Sequence, residues 1–236
     1  MSLGEQIKYV WSVRGLLFES LGISILIAVG ATIIGFFVGV LMAMIRIAPK
    51  TNIFIKILDK IAQLYITVIR GTPTMVQLLI MYSSILVAFK YLETNLAVPI
   101  VAFGINSGAY MAEIIRSGIN SVDVGQIEAG RSVGLSWVKT MRKIVIPQAL
   151  KVVVPTIFNE IIILVKETSV VGAIVLRMGD VQKWDLLGLA EKMGEAKPAT
   201  YNAFLYTAAA MYLAVVLILT FVQKRIEKRM KINERH

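Results

Sequence analysis

Any chemistry in this chain must come from carboxylates, amides, lysines, arginines, hydroxyls and tyrosines. Cysteine is absent and the single histidine, His236, is the last residue. Thiolate chemistry, disulfides and metal sites built on Cys or His clusters are therefore excluded. The remaining polar groups of interest lie inside strongly apolar sequence. The stretch 152–176 carries Asn159, Glu160, Lys166 and Glu167, and the stretch 96–118 carries Asn106, Tyr110, Glu113 and Arg116. A charge at the centre of a bilayer costs about 2.5–3.5 kcal/mol on insertion scales, so each such group needs a partner or water. Counted at about 1.5 Å per residue from an inner start near Val152, Asn159 and Glu160 sit near mid-depth, with Lys166 and Glu167 further out. Two readings stand side by side. In one, Glu160 pairs with a cation on a neighbouring helix and Lys166 snorkels outward. In the other, the cluster lines a water-accessible cavity that holds a zwitterionic solute near the midplane. Asn106 and Tyr110, at i,i+4, are candidates for the same cavity or for hydrogen bonds between helices. Glu113 and Arg116, at i,i+3, suit a structural or gating pair near one membrane surface.

The elements that must position these residues follow from hydropathy. Of the 236 residues 57% are hydrophobic and the mean hydropathy is +0.73, too apolar for an ordinary soluble domain. Runs near the length needed to cross a hydrocarbon core fall at about 21–47, 61–89, 96–118, 152–176 and 201–223. Backbone in lipid must satisfy its own hydrogen bonds, so these are five helical spans of an all-α membrane protein. Residues 1–20 have no basic run followed by an apolar core, so no cleavable signal is expected. Residues 6–18 read as an interfacial helix with Trp11 at headgroup level. The expected organisation is an interfacial helix (1–20), a membrane domain (21–223) and a basic tail (224–236). Within span one, Gly35 and Gly39 form a small face for helix packing. In span two, Thr72-Pro73 marks a kink, with Arg70 one turn before it placed for headgroups or a partner subunit. Residues 177–200, where Val181, Trp184 and Leu187 recur at helical spacing, read as an amphipathic helix on the membrane or equally as a solvated loop.

A net charge of +10 could suggest nucleic acid, but its distribution is topological. Arg46, Lys50, Lys56 and Lys60 lie between spans one and two; Arg131, Lys139, Arg142, Lys143 and Lys151 lie between three and four; and the tail is basic. With five spans these segments share one side, which the positive-inside rule makes cytoplasmic, leaving the N-terminus outside.

The polar block between spans three and four, about 119–151, then faces the cytosol. Asp123 followed by Gln126 is a helix-start signal of the capping-box kind. It predicts a helix over 124–133 supported by Glu128 and Arg131 at i,i+3. Gly134 is placed to end that helix in the left-handed conformation. Ser136 caps a second helix over 137–145, which Pro147 stops. The result is a compact knob whose Ala129 and Gly130 leave one face small enough for another protein to approach.

The spacing Glu128-Ala129-Gly130, then Gly134, then Ile144, Ile146 and Pro147 resembles the EAA loop of ATP-binding cassette (ABC) importer permeases. Further blocks are similar to the polar amino acid (histidine/glutamine/arginine-type) family over about residues 70–172. These are Arg70-Gly71-Thr72-Pro73 with Val76-Gln77, Asn106 through Tyr110 to Glu113 and Arg116, Gly125-Gln126, Gln148-Ala149, Asn159-Glu160 and Lys166-Glu167-Thr168-Ser169. Gly130 and Ile146 depart from the usual alanine and leucine. The resemblance implies a MetI-like fold of five spans and a coupling helix at Asp123, Gln126, Glu128, Ala129, Gly130, Arg131 and Gly134. It implies as partners two cytoplasmic ATPase subunits, a second permease subunit and an extracytoplasmic substrate-binding protein in a bacterial inner membrane. ATP and magnesium would bind the ATPase, and this chain, which has no GxxxxGK[ST] loop, would hold no cofactor and catalyse nothing itself. An intramembrane hydrolase, with Lys166 near Ser169, and a passive channel are the rival readings.

Overall fold

The computed structural model describes residues 1–88, 96–175 and 184–232. Every regular element among them is helical. Helix α1 (Leu3–Ser12) starts at Ser2, whose hydroxyl accepts from the Glu5 N–H while the Glu5 carboxylate accepts from the Ser2 N–H at 2.8 Å, a closed capping box. Helix α2 (Arg14–Ile47) follows directly after Val13. The interfacial helix expected over 6–18 thus ends earlier, and the first span begins before residue 21. Leu16, Leu17 and Glu19 are good helix formers, and a nucleated helix runs on through them whatever their polarity.

The expected second span is two helices, α3 (Ile53–Gly71) and α4 (Thr74–Ala88). Pro73 has no N–H to donate and disfavours helical backbone at Thr72. At the break the Gln77 amide donates to the Thr72 carbonyl at 3.1 Å and to its hydroxyl at 2.7 Å. Helix α5 (Ala97–Asn120), α6 (Val124–Ser132), α7 (Trp137–Thr140), a π-helical turn (Met141–Val145), α8 (Ile146–Glu167), α9 (Ser169–Val175), α10 (Leu186–Ala196) and α11 (Tyr201–Ile232) complete the order. Among the described residues four helical segments are long and apolar enough to cross a membrane: Arg14–Ile47, Ala97–Asn120, Trp137–Gly172 and Pro198–Met230. The broken pair α3 and α4 makes the fifth when read as one span.

The chain forms two compact units. The first comprises Met1–Ile33, Thr72–Gly104 and Ile161–Leu219. Its core includes Ile27, Leu78, Phe103 and Leu164, with a second cluster around Leu186, Ala190 and Phe204. Leu186, Leu189 and Ala190 of that cluster come from α10. The amphipathic helix expected to lie on the membrane is therefore packed within this unit, with Tyr9 edge-on to Phe204 at 6.0 Å. Val181 lies outside the described residues. The second unit comprises Ile34–Gly71, Ile105–Glu160 and Thr220–His236. Glycines let its helices approach closely. A Cβ on Gly39 would stand 2.6 Å from that of Met111, and one on Gly118 would stand 2.3 Å from a Val153 methyl. The small face read from Gly35 and Gly39 thus serves, at Gly39, packing within the chain.

Candidate functional site

The loop between α5 and α8 is built from local signals. Asp123 caps α6, its carboxylate accepting from the Gly125 N–H at 2.6 Å. No reciprocal bond from Gln126 closes a capping box among the described contacts. At the other end Gly134 has φ +83°. Its N–H donates to the Arg131 carbonyl at 3.0 Å, and the Leu135 N–H donates back to Gly130 at 3.1 Å. These two bonds close a Schellman motif, which only a residue at ease in the left-handed region completes without strain.

Three expectations for the loop are corrected. Glu128 and Arg131 do not pair: the Arg131 guanidinium donates to the Leu135 carbonyl at 2.8 Å instead, which also fastens the loop end. Gly130 does not serve a partner's approach. It is buried, and a Cβ there would meet Ile144 Cδ1 at 2.8 Å and Thr140 Cγ2 at 3.0 Å. Its smallness lets α6 lie against the α7–α8 junction. Finally, Pro147 does not stop the second helix. Ser136 caps α7 as expected, with Oγ accepting from Lys139 N–H, but the chain runs on through a π turn into α8. The wider turn relieves the clash of the Pro147 ring with the carbonyl four residues back. The outer face of the loop is exposed at Glu128, Ala129 and Arg131. It is also exposed at three valines that the sequence did not single out: Val124 (65%), Val133 (77%) and Val138 (65%).

The second candidate region lies on α5 and α8, within the second unit. Asn106, Ser107 and Glu160 are buried, and Ser107 Oγ donates to Glu160 Oε1 at 3.1 Å. The Ser107 hydroxyl is thus one neighbour of this carboxyl group. Tyr110 lies under the Arg70 guanidinium, 5.5 Å from carbon to ring centroid, a cation–π contact where a headgroup or subunit anchor was expected. Glu113 and Arg116 form the expected bidentate pair, with Nε donating at 3.0 Å and Nη2 closing the fork. Tyr65 donates to the Ile105 carbonyl one residue before Asn106, and fixes α3 against α5 at the same level.

Residues seven apart lie on one stripe of a helix, and the four polar groups of α8 divide this way. Asn159 and Lys166 are exposed, whereas Glu160 is buried and Glu167 half-buried. Asn159 and Glu160 fall in the second unit, and Lys166 and Glu167 in the first. Ser169 Oγ donates to the Lys166 carbonyl at 2.8 Å. No contact between Ser169 and the Lys166 ammonium, the pairing that a Ser–Lys hydrolase uses, is found among the described residues.

Sequence reasoning missed a buried network in the first unit. Asp185, 3% exposed, caps α10 by accepting from Leu187 and Gly188 N–H at 3.2 and 3.3 Å. Ser24 Oγ accepts from the Leu186 N–H at 3.1 Å and lies 3.2 Å from the Tyr212 hydroxyl. Burial pushes the Asp185 carboxyl up to about 7, against the backbone and Tyr212 bonds that pull it down. Its only sequence signal is Asp185 standing before a helical run, an N-cap pattern.

The apolar helical segments, the capped polar loop and the polar groups set within spans together define an integral membrane transport component. Residues 35–232 match the family described as binding-protein-dependent transport system inner membrane component, and the chain belongs to that family. It is 37% identical over 218 residues to the arginine transport system permease protein ArtQ of Bacillus subtilis (strain 168), covering 92% of this chain and 93% of that one. It is 32% identical over 210 residues to a putative glutamine transport system permease protein GlnP of Rickettsia typhi, covering 86% and 87%. A crystal structure of an amino acid ABC transporter with histidines superposes with a TM-score of 0.82 at 33% identity, over 97% of this chain and 99% of that one. An inward-facing MetNI methionine ABC transporter shares the fold, with a TM-score of 0.68 at 21% identity.

Proposed function

We propose that this ABC permease carries a polar amino acid inward along a path beside α5 and α8, driven by ATPase subunits seated on its cytosolic loop. The observation that carries the path is Asn159, exposed on a membrane-spanning helix. A polar group at that depth is costly against lipid, so Asn159 faces water or a second permease subunit, identical or not. Glu160, with Asn106 and Tyr110 on the facing helix, places a carboxyl group among polar side chains beside that path. The relatives named for arginine and glutamine support that substrate class. Lys166 and Glu167 stand further out on the same helix. Arg70, Thr72, Pro73 and Gln77 at the helix break, and the Glu113–Arg116 pair, are positioned to bend or lock the bundle.

The loop supports the drive. Asp123, Gln126, Glu128, Ala129 and Arg131 on α6, with Gly130 fixing it inward and Gly134 closing it, form a short stiff lever with an exposed apolar rim. In this scheme the loop and the C-terminus are cytoplasmic and the N-terminus is outside. An extracytoplasmic binding protein delivers solute, and ATP with magnesium stays on the partner ATPase. Neither nucleic acid nor a cofactor in this chain takes part.

The test is uptake of labelled arginine and glutamine into proteoliposomes that hold the permease with its ATPase. Asn159→Leu and Lys166→Leu should each cut uptake tenfold or more while the complex still assembles. Full uptake by both would overturn the path, and ATP-independent uptake by the wild type would favour a channel.

A further inference from the structure

An apolar groove runs along the second unit between α2, α5 and α8. Its volume is about 390 Å³, inside the range of about 300–1,000 Å³ common to ligand pockets. All its lining residues are apolar. On α2 they extend from Phe36 to Ile47, and on α8 from Ile146 through Leu150 and Val154 to Ile157. Each stretch covers twelve residues, or roughly 16 Å of helix. That length is close to half of the ~30 Å hydrocarbon core, the depth of one leaflet.

One end of the groove is strongly cationic. Ile47 is the last residue of α2 and Ile146 the first of α8. Beside Ile47, Arg46 and Lys50 share one carboxylate, Asp59, at 2.6 and 2.9 Å, which leaves an excess positive charge. One turn before Ile146, Arg142 and Lys143 are exposed and form no ion pair among the described residues. A dry slot one leaflet deep with cations at its mouth is complementary to one amphiphile, with an anionic head and a single long chain in reach.

We infer that the groove binds an anionic phospholipid of the cytoplasmic leaflet, with its phosphate at Arg142 and Lys143 and one acyl chain between α2 and α8. Basic pockets between spans on the cytoplasmic side hold lipid headgroups in this way. The inference rests on the proposed topology for the choice of leaflet and on nothing in the transport path.

The test is native mass spectrometry of the assembled permease–ATPase complex titrated with phosphatidylglycerol or phosphatidylcholine. The wild type should retain phosphatidylglycerol at least tenfold more tightly. The exposed double variant R142Q/K143Q should lose that preference. Val154→Trp, which fills the slot, should lose retained lipid of both kinds. Equal retention of the two lipids by the wild type, or an unchanged preference in R142Q/K143Q, would overturn the proposal. So would ready disulfide formation between Val154→Cys on two permease copies, which would make the groove a subunit interface. None of these readouts requires uptake, so a failed transport path and a failed lipid site are told apart.

Discussion

Gly134 offers a clean perturbation because its backbone and its surroundings separate. Its φ is +83°, yet nothing stands within 4 Å of the position a Cβ would take. A substitution there meets no neighbour, and its cost is confined to the backbone. For an L-residue in the left-handed region that cost is about 1–2 kcal/mol, and asparagine, which visits this region more readily, costs less. One to two kcal/mol is a factor of about 5–30 in an equilibrium. Gly134→Ala should therefore open the end of α6 about 5–30 times more often than the wild type, with Gly134→Asn between the two. Gly134→Pro should be worst, since proline fixes φ near −65° and removes the N–H that bonds Arg131. Hydrogen exchange at the Leu135 amide, which bonds Gly130, reads the opening directly in the detergent-solubilised complex. ATP-driven uptake reads its consequence: loss with Gly134→Pro, partial loss with Gly134→Ala, and protein still present in the membrane. Wild-type exchange and uptake in both the alanine and proline variants would refute the reasoning that this turn stiffens the lever.

Other consequences follow from neighbouring geometry. Gly130→Ala should lower thermal stability by about 1–3 kcal/mol, the usual cost of overpacking, because Thr140 is fully buried and β-branched and cannot yield as the Ile144 methyl can; calorimetry that finds no change would show the junction to be loose. Glu160→Gln keeps an acceptor for Ser107 but removes the charge, so arginine uptake should fall tenfold or more and glutamine uptake less; equal retention of both would leave Glu160 a structural role alone. Asp185 has a folded pKa of about 7 against an ordinary 3.8, so the stability it contributes is full below about pH 4 and is lost as pH rises to about 7, on the order of 4 kcal/mol at 1.36 kcal/mol per unit. Melting temperature should accordingly fall between pH 5 and 7.5 in the wild type and fall less in Asp185→Asn.

Local signals were legible in the sequence. The apolar runs gave the spans, Asp123 and Ser136 gave helix starts, and Gly134 gave the left-handed stop, because each depends on residues a few positions apart. Glu113 and Arg116 paired for the same reason. What escaped was set by distant partners or by backbone compensation. Ser107 meets Glu160 across 53 residues, and Ser24 meets Tyr212 across 188, so neither pairing has a spacing to read. Pro147 looked like a stop because a regular α-helix cannot absorb it, whereas a π turn before it can. Gly130 looked like a gap for a partner because its size was visible and its neighbour, Ile144, was not. Arg131 preferred the nearby Leu135 carbonyl to Glu128, a choice that follows only from the closed turn.

The account stands or falls on the loop lying in the cytosol against an ATPase. The chain has no cysteine, so Arg131→Cys gives a single label site with no background. A membrane-impermeant maleimide should leave it unlabelled in intact cells, label it in inverted vesicles, and lose that labelling when the ATPase is bound. Labelling in intact cells would contradict the account.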